Sequence, residues 1–272
     1  MNQDEPLYST LVLFGKESAR SVTSPPVFND VVDQTVELLR TTRCKLKARG
    51  TVQGEKGKNL APRQGVWSSA LQDRWTETLS QSGGHFLAIE WFDQAWLGGP
   101  HPVAFASLHK HWGYGPEGYS ERTKEGPENS LTIAIREDLV ENAFERLEAA
   151  AKPLTEKIDC FYGSMESGVL WDRPFGRLRR DMIDIRWQTR TAVDYRNGKY
   201  RVEAMVPRLY RGNLLCHSQF TNPNLEQLSK LPGVAKIETW PSGLIFLQLL
   251  DQPEYGSRPP PAYADFIRFI PD

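Results

Sequence analysis

Residues 234–250, VAKIETWPSGLIFLQLL, decide the fold class. Two strand-like runs, Val234 to Trp240 and Leu244 to Leu250, flank Pro241-Ser242-Gly243, and turn residues between such runs predict an antiparallel hairpin. A second hairpin is expected upstream, where Ala192 to Tyr195 and Lys199 to Val206 flank Asn197-Gly198, a dipeptide that tolerates the positive φ of a tight turn. With further strands at Ile158 to Met165 and Met182 to Trp187, hairpins dominate the second half. That pattern predicts an α+β protein with mixed, largely antiparallel sheets and packed helices, and argues against a doubly wound parallel sheet.

The first half supplies helices between strands. Leu7 to Phe14 reads as a buried strand. Val31 to Arg43 reads as a helix capped by Asn29 or Asp30, with Val32, Val36 and Leu39 on one face. Trp67 to Leu79 reads as a second helix, stopped at Gly83-Gly84. Strands follow at His85 to Trp91, Val103 to Trp112 and Leu131 to Ile135. Arg136 to Ala151 reads as a third helix, with Val140, Phe144, Leu147 and Ala151 forming an apolar stripe beside an acidic one of Glu137, Glu141, Glu145 and Glu148. A short helix is expected after Asn222, with Pro223 at its first position. Residues 113–129, rich in Gly and Pro, form a long loop, so the chain is either two lobes, 1–115 and 130–272, or one continuous domain.

Charge is segregated along the chain. The totals nearly cancel, 33 Lys and Arg against 34 Asp and Glu, which excludes a generally basic nucleic-acid binder. Residues 40–63 nevertheless hold eight bases and one acid, and read as a solvated loop. Residues 117–166 hold 12 acids against six bases, and residues 173–211 hold 11 bases. Cys44, Cys160 and Cys216 are odd in number and form no C-x-x-C, which suggests neither a disulfide framework nor a zinc knuckle but a reducing, cytoplasmic setting. The opening MNQDEPLYSTLVLFGKE has acids before a short apolar run, so neither a signal peptide nor a membrane span is expected.

Catalytic patterns are sparse. There is no phosphate-binding loop, no G-x-S-x-G and no H-E-x-x-H, and no acid is followed by Lys at the second position, as the usual restriction-endonuclease site requires. His101, His109 and His111 are the candidate metal ligands, since alternate positions on a strand share a side. Cys216-His217 would make a poor nucleophile and base, because neighbours on a strand face opposite ways. Glu90 and Asp93, among Trp91, Phe92 and Trp96, could form a carboxylate pair. No cofactor motif is present.

The segment Met205 to Gln219, MVPRLYRGNLLCHSQ, carries a resemblance. Pro207-Arg208 and Arg211-Gly212-Asn213-Leu214-Leu215, with the earlier Gly163-Ser164-Met165-Glu166, are similar to the immunity protein 52 family of bacterial polymorphic-toxin systems. The resemblance implies a protein that neutralises a cognate toxin, often a nuclease delivered by type VI secretion, and it brings no catalytic residues. In this segment Gly212 is expected to make a turn, Pro207 to end a strand, and Arg208 and Arg211 to pair with acids of residues 117–166.

The expected function is therefore inhibition of a toxin, with no enzymatic activity, no cofactor, and no direct contact with nucleic acid or membrane. Glu137, Asp138, Glu141, Glu145 and Glu148 would face a basic nuclease groove, with Trp96, Tyr114 and Tyr119 as aromatic anchors. The alternatives are a metal-dependent hydrolase built on the three histidines and a small-molecule-binding accessory protein with its cleft between Trp91 and Trp112.

Overall fold

The structure is a computed structural model that describes residues 6–15, 24–40, 42, 44–53, 59–82, 86–94, 101–110, 129–172, 177–178, 205–206, 208–251 and 261–269. Its strands are β1 (Leu7–Gly15), β2 (Leu46–Gln53), β3 (Asn59–Val66), β4 (Phe86–Asp93), β5 (Ala104–Lys110), β6 (Asn129–Arg136), β7 (Cys160–Asp172), β8 (Arg177–Leu178), β9 (Gly212–Leu215), β10 (Val234–Thr239) and β11 (Ile245–Leu249). The helices are α1 (Pro25–Leu39), α2 (Ser69–Ser82), α3 (Ala143–Lys157) and the single turn α4 (Leu225–Leu228). The fold is α+β and mostly sheet. Among the described residues, one 11-stranded sheet runs β10-β11-β9-β7-β1-β6-β5-β4-β2-β3, with β8 beside β7.

Every neighbouring pair in that sheet is antiparallel. β1 lies at the centre, held on one side by β6 and on the other by β7. Side chains alternate between the two faces. Leu11, Leu13, Leu87, Ile89, Trp91, Ala106, Leu108, Ile133 and Ile135 share the main core with α1, α2 and α3. Beneath α2, Trp67 lies 5.8 Å from Trp75 and 5.7 Å from Trp91, ring centre to ring centre.

The opposite face is covered at one end by the C-terminal part of the chain. Val206, Leu209, Phe220, Leu228, Tyr263, Phe266 and Ile267 close a second core on Leu215, Ile245 and Leu247. Further across, the same face carries a small cluster of Tyr8, Ala88, Phe105 and Ala134, all from strands.

Several expected boundaries move. α1 begins at Pro25, since Pro25-Pro26 suits the first helical positions, where no intrahelical donor is needed. Asn29 and Asp30 consequently lie inside α1 and fasten the helix layer instead. Gln72 and Thr76 donate to Asn29 Oδ1 at 3.2 and 2.9 Å, and Lys157 Nζ donates to Asp30 Oδ2 at 2.6 Å. Basic residues expected in a loop form the hairpin of β2 and β3, because Ala48 and Val52 alternate with Lys47, Arg49 and Thr51 and are buried. α3 starts at Ala143, seven residues after the expected position. β6 consumes the chain to Arg136, and residues 137–142 turn it from the sheet to the helix layer, through Asn142 at φ 52°. The last short helix is capped by Asn224, whose Oδ1 accepts from Gln227 N, and not by Asn222. The hairpin of β10 and β11 forms as expected. The Asn197-Gly198 hairpin, the Met182 to Trp187 strand, Pro207 and the long loop lie outside the described residues.

Candidate partner-binding surface

The five acidic residues expected on one helix are divided between a turn and a helix, and their side chains have different fates. Glu137 follows β6 directly, and its Oε1 accepts from Ser9 Oγ at 2.7 Å. Asp138 accepts from Arg136 Nε at 2.9 Å and Nη2 at 2.5 Å, and this guanidinium holds its carboxyl below the usual range. Glu148 is buried, and its Oε1 accepts from Lys236 Nζ at 2.7 Å. Glu141 and Glu145 alone among the five are exposed without a partner. The surface on offer is the turn and first turn of α3, with Glu137 and Asp138 held in place behind two free carboxylates. Trp96, Tyr114 and Tyr119 lie outside the described residues.

Glu148 belongs to a network that ties α3 to β10. Lys152 Nζ reaches Glu238 Oε1 at 2.8 Å, Lys236 Nζ reaches Glu238 Oε2 at 3.3 Å, and Trp240 Nε1 donates to Glu238 Oε1 at 2.7 Å. Burial alone would raise the Glu238 carboxyl, but Lys152, Trp240 and Lys236 together hold it below the ordinary value. Burial would likewise lower Lys236, and Glu148 and Glu238 hold it above. Lys152 also lies 5.5 Å from the Trp240 ring centre.

The residues that carry the family resemblance are neighbours in the sheet. Gly163 pairs with Leu214, Ser164 with Asn213 and Met165 with Gly212. Gly212 makes no turn: it opens β9, where an added Cβ would lie 3.1 Å from Phe144 Cζ and 3.2 Å from Phe246 Cε2. Asn213 is fully buried; its Nδ2 donates to the carbonyls of Tyr210 and Leu247, and its Oδ1 accepts from Tyr210 N. Arg211 lies over the Phe144 ring at 4.2 Å and so joins β9 to α3 through an aromatic ring where an acid was expected. The motif holds the β7 and β9 pair together.

The other candidates separate. Among the described residues, no group of three or more His, Cys, Asp or Glu side chains is placed to share a metal ion. His111 lies outside them, and of His109 only the backbone is described. Glu90 and Asp93 do not pair. Glu90 is bound by Arg49, while Asp93 faces the other way and hydrogen-bonds Cys44. Cys216 Sγ sits 2.9 Å from Ser218 Oγ, and the neighbouring His217 is exposed. No described helix is long and apolar enough to cross a membrane.

One feature was legible only as an alternation of polar residues within strands. Thr10, Glu90, Ser107, Thr132 and Glu166 all project from the face away from the helices, and all are buried. Arg49 donates to Glu90 Oε2 through Nε at 2.8 Å and through Nη2, and its guanidinium lies 5.3 Å from the Phe92 ring centre.

No family model matches the chain, and no curated protein matches it. Among solved structures it is similar to the Pseudomonas aeruginosa T6SS protein PA0821, with a TM-score of 0.54 over 97% of this chain and 72% of that one. The two share 11% of their residues, so the likeness is one of fold.

Proposed function

We propose that this chain is an immunity protein of the kind its 205–219 segment resembles, which binds a cognate secreted toxin and blocks its active site or substrate surface without catalysing a reaction. The observation that carries the reading is the pair of free, exposed carboxylates, Glu141 on the turn that Ser9 and Arg136 hold in place and Glu145 in the first turn of α3 that follows it. A nuclease groove is basic, and carboxylates held ready can occupy phosphate positions and speed encounter. The shared fold with a T6SS protein supports the same reading, with a nuclease effector as the expected partner and the cytoplasm as the place of action.

Co-expression with a candidate secreted nuclease toxin from the same organism is the direct test. Rescue of growth is expected, and undiminished toxicity would overturn the proposal. Within a complex that forms, Glu141→Lys with Glu145→Lys should weaken binding by about tenfold or more and flatten its salt dependence. Unchanged affinity would remove this surface from the interface.

A further inference from the structure

Among the described residues the sheet ends at β3 on one side and at β10 on the other, and the two edges differ. β3 carries Pro62, which has no N–H to offer a further strand and so blunts that edge. β10 has no proline. Trp240 N donates to the Leu244 carbonyl at 2.8 Å, so at alternate positions Glu238 and Lys236 turn their main-chain groups toward β11, while Ile237 and Thr239 turn theirs outward. Ala235 and Thr239 are exposed, and the half-buried Ile237 lies between them. On the α3 side stand Lys236 and Glu238, whose side chains are 38% and 31% exposed.

We infer that β10 pairs antiparallel with β10 of a second copy of this chain, about a two-fold axis through Ile237. The order of charges along the strand is what selects this occupant. A register that sets Ile237 against its own copy sets Lys236 against Glu238 of the second copy and Glu238 against Lys236, so opposite charges meet twice. A slip of one residue would put the α3 side of one strand against the opposite side of the other. A slip of two residues in either direction would set Lys236 against Lys236 or Glu238 against Glu238, so only one symmetric register is favoured. Within its own chain Lys236 binds Glu148, and Glu238 binds Lys152 and Trp240; the ammonium's further donor and the lone pairs of Glu238 Oε2 serve the second copy. α3 packs over β1 and β7, roughly 14 Å of sheet inward from β10, and leaves that edge accessible on its side. One strand pair buries less than a permanent interface requires, so the dimer is weak and depends on concentration. This inference stands independently of the toxin reading.

Sedimentation velocity of the full chain from about 1 to about 300 µM, in about 0.05 M and about 0.5 M salt, tests it. A monomer–dimer equilibrium is expected, several-fold weaker at the higher salt. Ile237→Lys brings two ammonium groups together at the axis and should weaken dimerisation about tenfold or more. Thr239→Pro removes an N–H that faces away from β11, and should weaken the dimer to a similar degree with little change in melting. Glu141→Lys with Glu145→Lys should leave the dimer intact, which separates this surface from the toxin-binding one. A monomer at every concentration overturns the inference, and so does parental dimer affinity in either folded β10 variant. If Ile237→Lys misfolds, Thr239→Pro decides by the same measure.

Discussion

Two glycines show how much of this structure depends on single missing atoms. Gly163 and Gly212 sit on adjacent strands, and an added Cβ at Gly163 would lie 2.8 Å from Leu13 Cδ2, 2.9 Å from Leu214 Cδ1 and 3.0 Å from the Val12 carbonyl oxygen. Because these contacts are closer and one of them is backbone, Gly163→Ala should cost about 1–3 kcal/mol, and more than Gly212→Ala, where the added Cβ would meet Met165 Cβ and two ring atoms no nearer than 3.1 Å. Urea unfolding of the two variants checks the order. Cys160 provides a second prediction. Burial pushes its thiol up to about 12, and its Sγ donates to the Tyr162 carbonyl at 3.2 Å, so it stays a neutral thiol near neutrality. Alkylation of the native protein should modify Cys44 and Cys216 first, and mass mapping should find Cys160 labelled only on unfolding. In the sequence, Gly212 looked like a turn and Cys160 like any other thiol. Glycine permits both a positive φ and close packing, and only the neighbours across the sheet decide between them.

At the scale of elements, the tie between α3 and the hairpin of β10 and β11 is electrostatic. Glu238 is held below the usual range, so its contribution is full above that range and is lost as pH falls through its lowered value. Lys236 is held above its usual range, so its contribution is full below that range and fades as pH rises through the raised value. Lys236→Met should therefore destabilise by about 1–2 kcal/mol near neutrality, a value kept low by the half-exposed lysine, and the loss should shrink toward both extremes of pH. Thermal melts of parent and variant from about pH 3 to pH 11 measure it. Helix periodicity was legible in this region: Phe144, Leu147 and Ala151 are buried on α3 as expected. The start of the helix was not, because Val140 fits the same period yet is buried from a turn. The basic hairpin was missed for the opposite reason, since charge density concealed a period-two pattern that pairing with β4 turns into burial.

For the whole molecule, the decisive fact is the place of β1. A strand from the first residues of the chain sits between β6 and β7, more than a hundred residues later in sequence, so both halves of the sheet close on it. Deleting residues 1–15 should abolish cooperative unfolding and not merely lower the midpoint; a sigmoidal melt of the shortened chain would show that the halves hold without it. The sequence by itself determined the α+β class, most strands, the hairpin of β10 and β11 and the apolar faces of the helices. Those features depend on alternation and periodicity within a few residues, where backbone geometry leaves few choices. Only the tertiary structure decided that Glu148 is an internal tie while Glu141 and Glu145 are free, that the 163–166 and 212–215 segments are partners, and that Glu90, Thr10 and Glu166 share one buried face of the sheet. Each of these depends on register between strands far apart in the chain, which is set by packing of the whole core and leaves no local mark on the residues it brings together.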